Sequence, residues 1–127
     1  MFYIVESEKD FDRAATDLDA AVKRRGFGVL YVHDVGATLR AKGVDFPEKC
    51  RIFEVCQPAH AAKVMAADMR LNMALPCRIS VYTEKGATRI GMVLPTAMLA
   101  ALSSDPELER VAREVERQTQ GMIDEAR

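Results

Sequence analysis

In Cys50-Arg51-Ile52-Phe53-Glu54-Val55-Cys56-Gln57-Pro58-Ala59-His60 a strand pattern stops and a helix begins, which makes this an α/β chain. Successive side chains on a strand point to opposite faces, so Phe53 and Val55 share one side while Cys50, Ile52, Glu54 and Cys56 share the other. That second face is too polar for an ordinary core. Pro58 lacks an N–H that the first helical turn would leave unpaired anyway, so it suits a helix start. Behind it Ala61, Ala62, Met65 and Met69 recur at helical spacing and predict the buried stripe of that helix. A second punctuation, Leu75-Pro76-Cys77, follows its end.

Val29 to Val32 form a uniformly apolar run, which predicts a central strand covered on both faces. Asp34 is placed to cap a short helix closed by Gly43. Upstream, residues 2 to 5 predict a strand, and Ser7 with Asp10 three positions on resembles a capping box. Phe11, Ala14, Ala15, Leu18 and Val22 then make one apolar stripe ending at Gly26. Downstream, Arg78 to Tyr82 and Arg89 to Leu94 predict two strands joined at Lys85-Gly86. Asp105-Pro106 opens a long helix whose Leu108, Val111, Ala112, Val115, Thr119 and Ile123 lie on one side. The expected fold is a two-layer α/β sandwich, with a mixed β-sheet of about five strands and helices mainly on one face, built as a single domain over residues 1–127.

The 127 residues are 49% apolar and 29% charged, the balance of an ordinary soluble globule. A formal charge of -1 gives no general attraction for nucleic acid, whose binding normally shows as a basic stripe. Lys23-Arg24-Arg25 sits instead at a predicted helix end, where cations complement the helix dipole. No apolar run approaches the length of a membrane span. The opening residues turn acidic at Glu6, unlike a signal peptide, so the expected location is cytoplasmic. Three cysteines, an odd number, fit reduced thiols better than a disulfide framework.

Several short segments carry a family resemblance: Gly26-Phe27-Gly28-Val29-Leu30 leading to Asp34-Val35, then Lys42-Gly43-Val44, Cys56-Gln57-Pro58 and Leu75-Pro76-Cys77-Arg78. In order and context these resemble the bacterial and archaeal family known as domain of unknown function 302. The resemblance covers nearly the whole chain. At Cys56 that family more often reads Cys-Asn-Pro, and Gln57 departs from it. The resemblance implies a compact two-layer α/β domain and a homodimer, with no established activity and therefore no catalytic residue to carry over.

Cys56, Pro58, His60, Cys77 and Arg78 are the candidate ligand-binding residues. Amides and dipole at a helix N-terminus can favour a thiolate at Cys56 or hold a small anionic ligand, with His60 one turn on. Cys56, His60 and Cys77 form a donor set suited to a soft metal, with Met73 or His33 to complete it, but the spacing matches no standard zinc motif. Against any pairing, two parallel strands joined by a helix would put Cys56 and Cys77 at opposite sheet ends, roughly 15 to 20 Å apart. Packing is the weightier role for each cysteine, since free cysteine behaves as a small hydrophobe. His33 and Asp34, adjacent on a strand, point to opposite faces and make no dyad.

Arg51, Arg78 and Arg89 would bind an oxyanion if they converged, although ion pairing with Glu54 or Glu84 is the simpler expectation. The sequence contains none of the dinucleotide, phosphate-loop, nucleophile-elbow or zincin motifs. No cofactor is called for. These features together point to a non-catalytic homodimer that binds a small ligand or serves as an accessory domain. The alternative is a thiol-dependent enzyme or redox protein using Cys56.

Overall fold

A computed structural model describes residues 1–127. The elements in chain order are β1 (Phe2–Ser7), α1 (Phe11–Arg24), β2 (Gly28–Asp34), α2 (Val35–Ala41), β3 (Cys50–Cys56) and α3 (Pro58–Ala67), then a 3-10 helix over Met69–Ala74, β4 (Cys77–Glu84), β5 (Ala87–Val93), α4 (Pro95–Leu102) and α5 (Pro106–Ala126). The five strands form one sheet in the order β1-β5-β4-β3-β2. The expected α/β architecture, with helices stacked on one face of a five-stranded sheet, is the one found.

Every neighbouring pair of strands is antiparallel, which corrects the expected mixed sheet. The reason lies in the β3-to-β4 connection. A parallel crossover needs a helix that carries the chain back along the whole strand. Here α3 is 10 residues long and packs against the 3-10 helix, so the chain leaves the sheet and returns to the end it left. β4 then runs back beside β3, with Val55 opposite Cys77 and Phe53 opposite Ile79.

β2 is an edge strand rather than a central one, and Leu30 and Tyr31 are about 60% and 59% exposed. Its apolar run does not mark two covered faces. The pairing shifts between Val29 and Tyr31, where Leu30 is the extra residue of a bulge, and the Tyr31 ring rests 4.6 Å from that of His33. Such a bulge is one way that an edge is kept from pairing with another chain.

Local signals explain most boundaries. The N-cap of α1 is Asp10, whose carboxylate accepts from Arg13 N at 2.8 Å; Ser7 instead closes β1. Asp34 caps α2 through Ala37 N at 2.9 Å, and Asp105 caps α5 through Glu107 N at 2.9 Å. The β4–β5 hairpin turns through Lys85 and Gly86, both at positive φ, the conformation of the tight turns that match strand twist.

The apolar stripes of α1 and α5 bury against the inner face of the sheet. Leu18, Val22, Met122 and Ile123 meet Val55, Ile79, Val81 and Ile90, all almost fully enclosed. A second cluster joins Val64 of α3, Leu71 and Leu99 to Leu108, Val111, Ala112 and Val115 of α5. The buried position of α3 lies one residue from the expected Met65. Val64 is its buried residue, Ala61 and Met65 are half-buried, and Ala62 and Met69 are exposed, because the helix stops at Ala67 before the pattern can continue.

The other face of the sheet has no helix over it. Phe2 and Ile4 of β1, Val93 and Gly91 of β5, Ser80 and Tyr82 of β4, and Ile52 of β3 share that side.

Candidate functional site

Antiparallel pairing brings the two cysteines that flank α3 to one end of the sheet. Cys77 faces Val55 directly and Cys56 is the next residue along β3, so the expected separation at opposite ends does not occur. Both line a partly open cavity of about 260 Å³ between the sheet and α3, α4 and α5. Its walls are mostly aliphatic and include Phe27, Val64, Leu99, Val111 and Val115, with His60, Gln57 and Asn72 as the polar exceptions. All three cysteines of the chain are free thiols.

The polar groups of the cavity differ in how they are satisfied. Gln57 is the N-cap of α3, and its side-chain oxygen accepts from His60 N at 3.0 Å. The longer amide thus reaches the same orphan donor that a shorter capping residue would take. The capped turn offers an anion fewer free amides than the sequence suggested. His60 sits 6.2 Å, ring to ring, from Phe27, and its Nδ1 is buried with no hydrogen-bond partner. Buried polar atoms in native proteins are nearly always paired, so this one is conspicuous.

Burial pushes the Cys77 thiol up from an ordinary value of 9.0 to about 11, with the neighbouring Cys56 adding to the rise. The cavity therefore holds Cys77 as a neutral thiol at physiological pH and disfavours negative charge beside it. Glu114 of α5 is held below the usual carboxylate range, chiefly by hydrogen bonds from Arg117 and Gln118 and to a smaller degree by the nearby His60.

The five sequence candidates divide. Cys56, His60 and Cys77 come together in the cavity. Pro58 is exposed at the first position of α3 and does not line it. Arg78 lies opposite Glu54 on the uncovered sheet face, so it cannot supply a cation to the cavity. The soft-metal reading is corrected: no group of three or more His, Cys, Asp or Glu side chains is arranged to hold a metal ion. His33 instead contacts Glu54 at 2.8 Å across the β2–β3 pair.

The three arginines do not converge either. Arg51 bonds Asp34 and Asp12 and lies over the Phe11 ring, whereas Arg89 sits between Glu84 at 3.9 Å and Glu6 at 4.0 Å. Sequence reasoning missed most of the cavity wall, including Phe27, Val64, Leu99 and Val111. These read as core positions, and only packing shows that they leave a space.

A second and larger concavity, about 590 Å³, lies on the uncovered sheet face among Phe2, Ile4, Ile52, Tyr82, Val93 and Met98. Both concavities open to solvent, Phe2 and Met73 being exposed in the larger and Leu30 in the smaller, and they share Leu75, Pro76 and Cys77. The smaller one is the candidate because it gathers Cys56, His60 and Cys77.

The family model for domain of unknown function DUF302 matches residues 3–126. The chain belongs to the DUF302 family. A crystal structure of an uncharacterised conserved DUF302 protein from Bacillus stearothermophilus superposes with a TM-score of 0.92 at 36% identity, covering 99% of this chain and 98% of that one. The DUF302 fold is therefore shared end to end. No curated protein matches the chain. No helix is long and apolar enough to cross a membrane.

Proposed function

We propose that this DUF302 protein is a non-catalytic, single-domain homodimer of the cytoplasm that binds a small ligand in the cavity beside Cys56, His60 and Cys77. The observation that carries the reading is a space of about 260 Å³, lined mostly by aliphatic side chains, that gathers Cys56, His60 and Cys77. Engineered apolar cavities of about 150 Å³ admit benzene and drug-sized pockets begin near about 300 Å³, so a bicyclic molecule is the right scale. Free thiols are at home in a reducing compartment. Cys77 is held neutral, the opposite of an activated nucleophile, so the thiol-enzyme alternative would rest on Cys56 without it. An anionic ligand is disfavoured by the same burial and by the absence of Arg78 from the cavity wall.

The uncovered sheet face supports the dimer. Phe2, Ile4 and Val93 are exposed on its β1–β5 side, and Arg78, Arg89, Glu6 and Glu54 lie on the same face, so apolar surface and charge are both available to a partner. Sedimentation at micromolar concentration should give a dimer that Ile4→Glu dissociates; a wild-type monomer would contradict this part of the reading.

The ligand part is tested by thermal shift with small bicyclic probes, since binding to the folded state alone raises Tm. Indole should raise the Tm of the wild type and leave that of Ala61→Phe unchanged, because Ala61 lines the cavity and a larger side chain there fills it. Equal shifts in both proteins, or none in either, would contradict the cavity as the site.

A further inference from the structure

The strand register lays the uncovered sheet face out in three rows. Glu54 and Arg78, with Val93 and Phe2, stand in the first; Ile52, Ser80, Gly91 and Ile4 in the second; Cys50, Tyr82, Arg89 and Glu6 in the third. The middle row is small at its centre and large at its ends. A Cβ on Gly91 would lie 2.9 Å from Ile4 Cγ1, so Ile4 leans over β5, while Ser80 leaves the sheet surface low between Ile4 and Ile52. Tyr82 stands at one end of this trough, and Met73, Leu75 and Met98 continue its apolar wall past the other, which makes the concavity of about 590 Å³.

Arg78 is the only charged residue in that wall. Its cross-strand neighbour Glu54 contacts His33 at 2.8 Å, and Arg78 enters no ion pair within the chain, unlike Arg51 and Arg89. A solvated arginine is ordinary by itself. Set into an otherwise uncharged and largely apolar trough, it places a planar cation, suited to bidentate contact with a carboxylate, beside surface that gains from covering a hydrocarbon. We propose that the trough is a second ligand site, separate from the cavity beside Cys56, and that it takes an amphiphile with a single apolar chain and a terminal carboxylate. The chain lies over Ser80 between Ile4 and Ile52, and the carboxylate pairs with Arg78 at the rim. This proposal does not rest on the inner-cavity reading. With a dimer formed on this face, the second copy is the roof of the trough.

The test is a calorimetric titration of the full chain with decanoate, below the concentration at which it forms micelles, and with 1-decanol, which has the same chain length and no charge. Decanoate should bind about fivefold more tightly at low ionic strength, the scale of one exposed ion pair, and that advantage should shrink in concentrated salt. Arg78→Gln should bind the two equally, whereas Ser80→Leu, which fills the floor and keeps the cation, should weaken both. A wild type that binds the two alike, or neither, overturns the proposal, and so does a preference that survives Arg78→Gln. Indole should not displace decanoate; competition between them would put the chain in the cavity beside Cys56 and overturn the trough as a separate site. Decanoate should also leave any dimer intact in sedimentation. Conversion of a dimer to monomers would give the trough to the second copy and overturn it as a ligand site. The inner-cavity reading is decided by indole and this one by decanoate, so the failure of either is seen apart from the other.

Discussion

Cys77 lies directly opposite Val55 in the antiparallel β3–β4 ladder, and this pairing sets the thiol at the mouth of the helix-covered side of the sheet, one residue from Cys56. Its burial has a measurable consequence. A thiol whose folded value is about 11, against an ordinary 9.0, stabilises the folded state fully below pH 9. That contribution is lost as pH rises toward 11, because the unfolded chain ionises first. Denaturation of wild type and Cys77→Ala from pH 8 to 11 should show the wild type losing up to about 2 kcal/mol more than the variant. Parallel pH profiles would mean that the thiol is not held neutral by its surroundings. Alkylation at pH 8 should likewise leave Cys77 unmodified until the protein unfolds.

Gln57 caps α3 with a side chain longer than the residues usually found in that role. Gln57→Ala should cost about 0.5 to 2 kcal/mol in denaturant titrations, by exposing the His60 amide without a partner. Gln57→Asn should keep most of the stability. A neutral alanine variant would show that the cap bond contributes nothing and that the first turn is satisfied by water.

Gly91 of β5 sits under Ile4 of the neighbouring β1, and a Cβ there would lie 2.9 Å from the Ile4 Cγ1 and 3.0 Å from the Tyr3 carbonyl oxygen. The side chain can turn away, but the backbone oxygen is held by the ladder. Gly91→Ala should therefore destabilise by about 1 to 3 kcal/mol, the usual cost of overpacking. Hydrogen exchange in β1 should accelerate with it. A variant as stable as the wild type would indicate that β1 shifts freely along the sheet edge.

Leu18 is fully enclosed between α1 and the sheet. Leu18→Ala should cost about 2 to 5 kcal/mol, by loss of buried surface and creation of a void. A loss below about 1 kcal/mol would place this helix outside the cooperative core.

Elements with one clear period were legible from the residues alone: the α1 and α5 stripes, the alternation across Phe53 and Val55, and the Lys85-Gly86 hairpin. What stayed hidden was direction and layer. The run Val29 to Val32 has the composition of a covered strand, yet β2 is the last strand of the sheet and is bulged at Leu30. The β3-to-β4 link contains a helix, the usual mark of a parallel crossover, and only the return through the 3-10 helix reverses it. That one reversal decides whether Cys56 and Cys77 are neighbours, so the site residues could be named while their meeting could not. The cavity wall gave no sequence signal at all, because Val64, Leu99 and Val111 are chemically the same whether they close on one another or stop short.

If the space beside Cys56, His60 and Cys77 takes a small ligand, backbone amide shift mapping with indole should locate it there. Titration should perturb the amides of residues 56 to 61, Val64, Cys77, Leu99 and Val111 saturably and together, leaving Phe2, Ile4 and Tyr82 on the uncovered face unmoved. Perturbations confined to the uncovered face, or no saturable change anywhere, would contradict it.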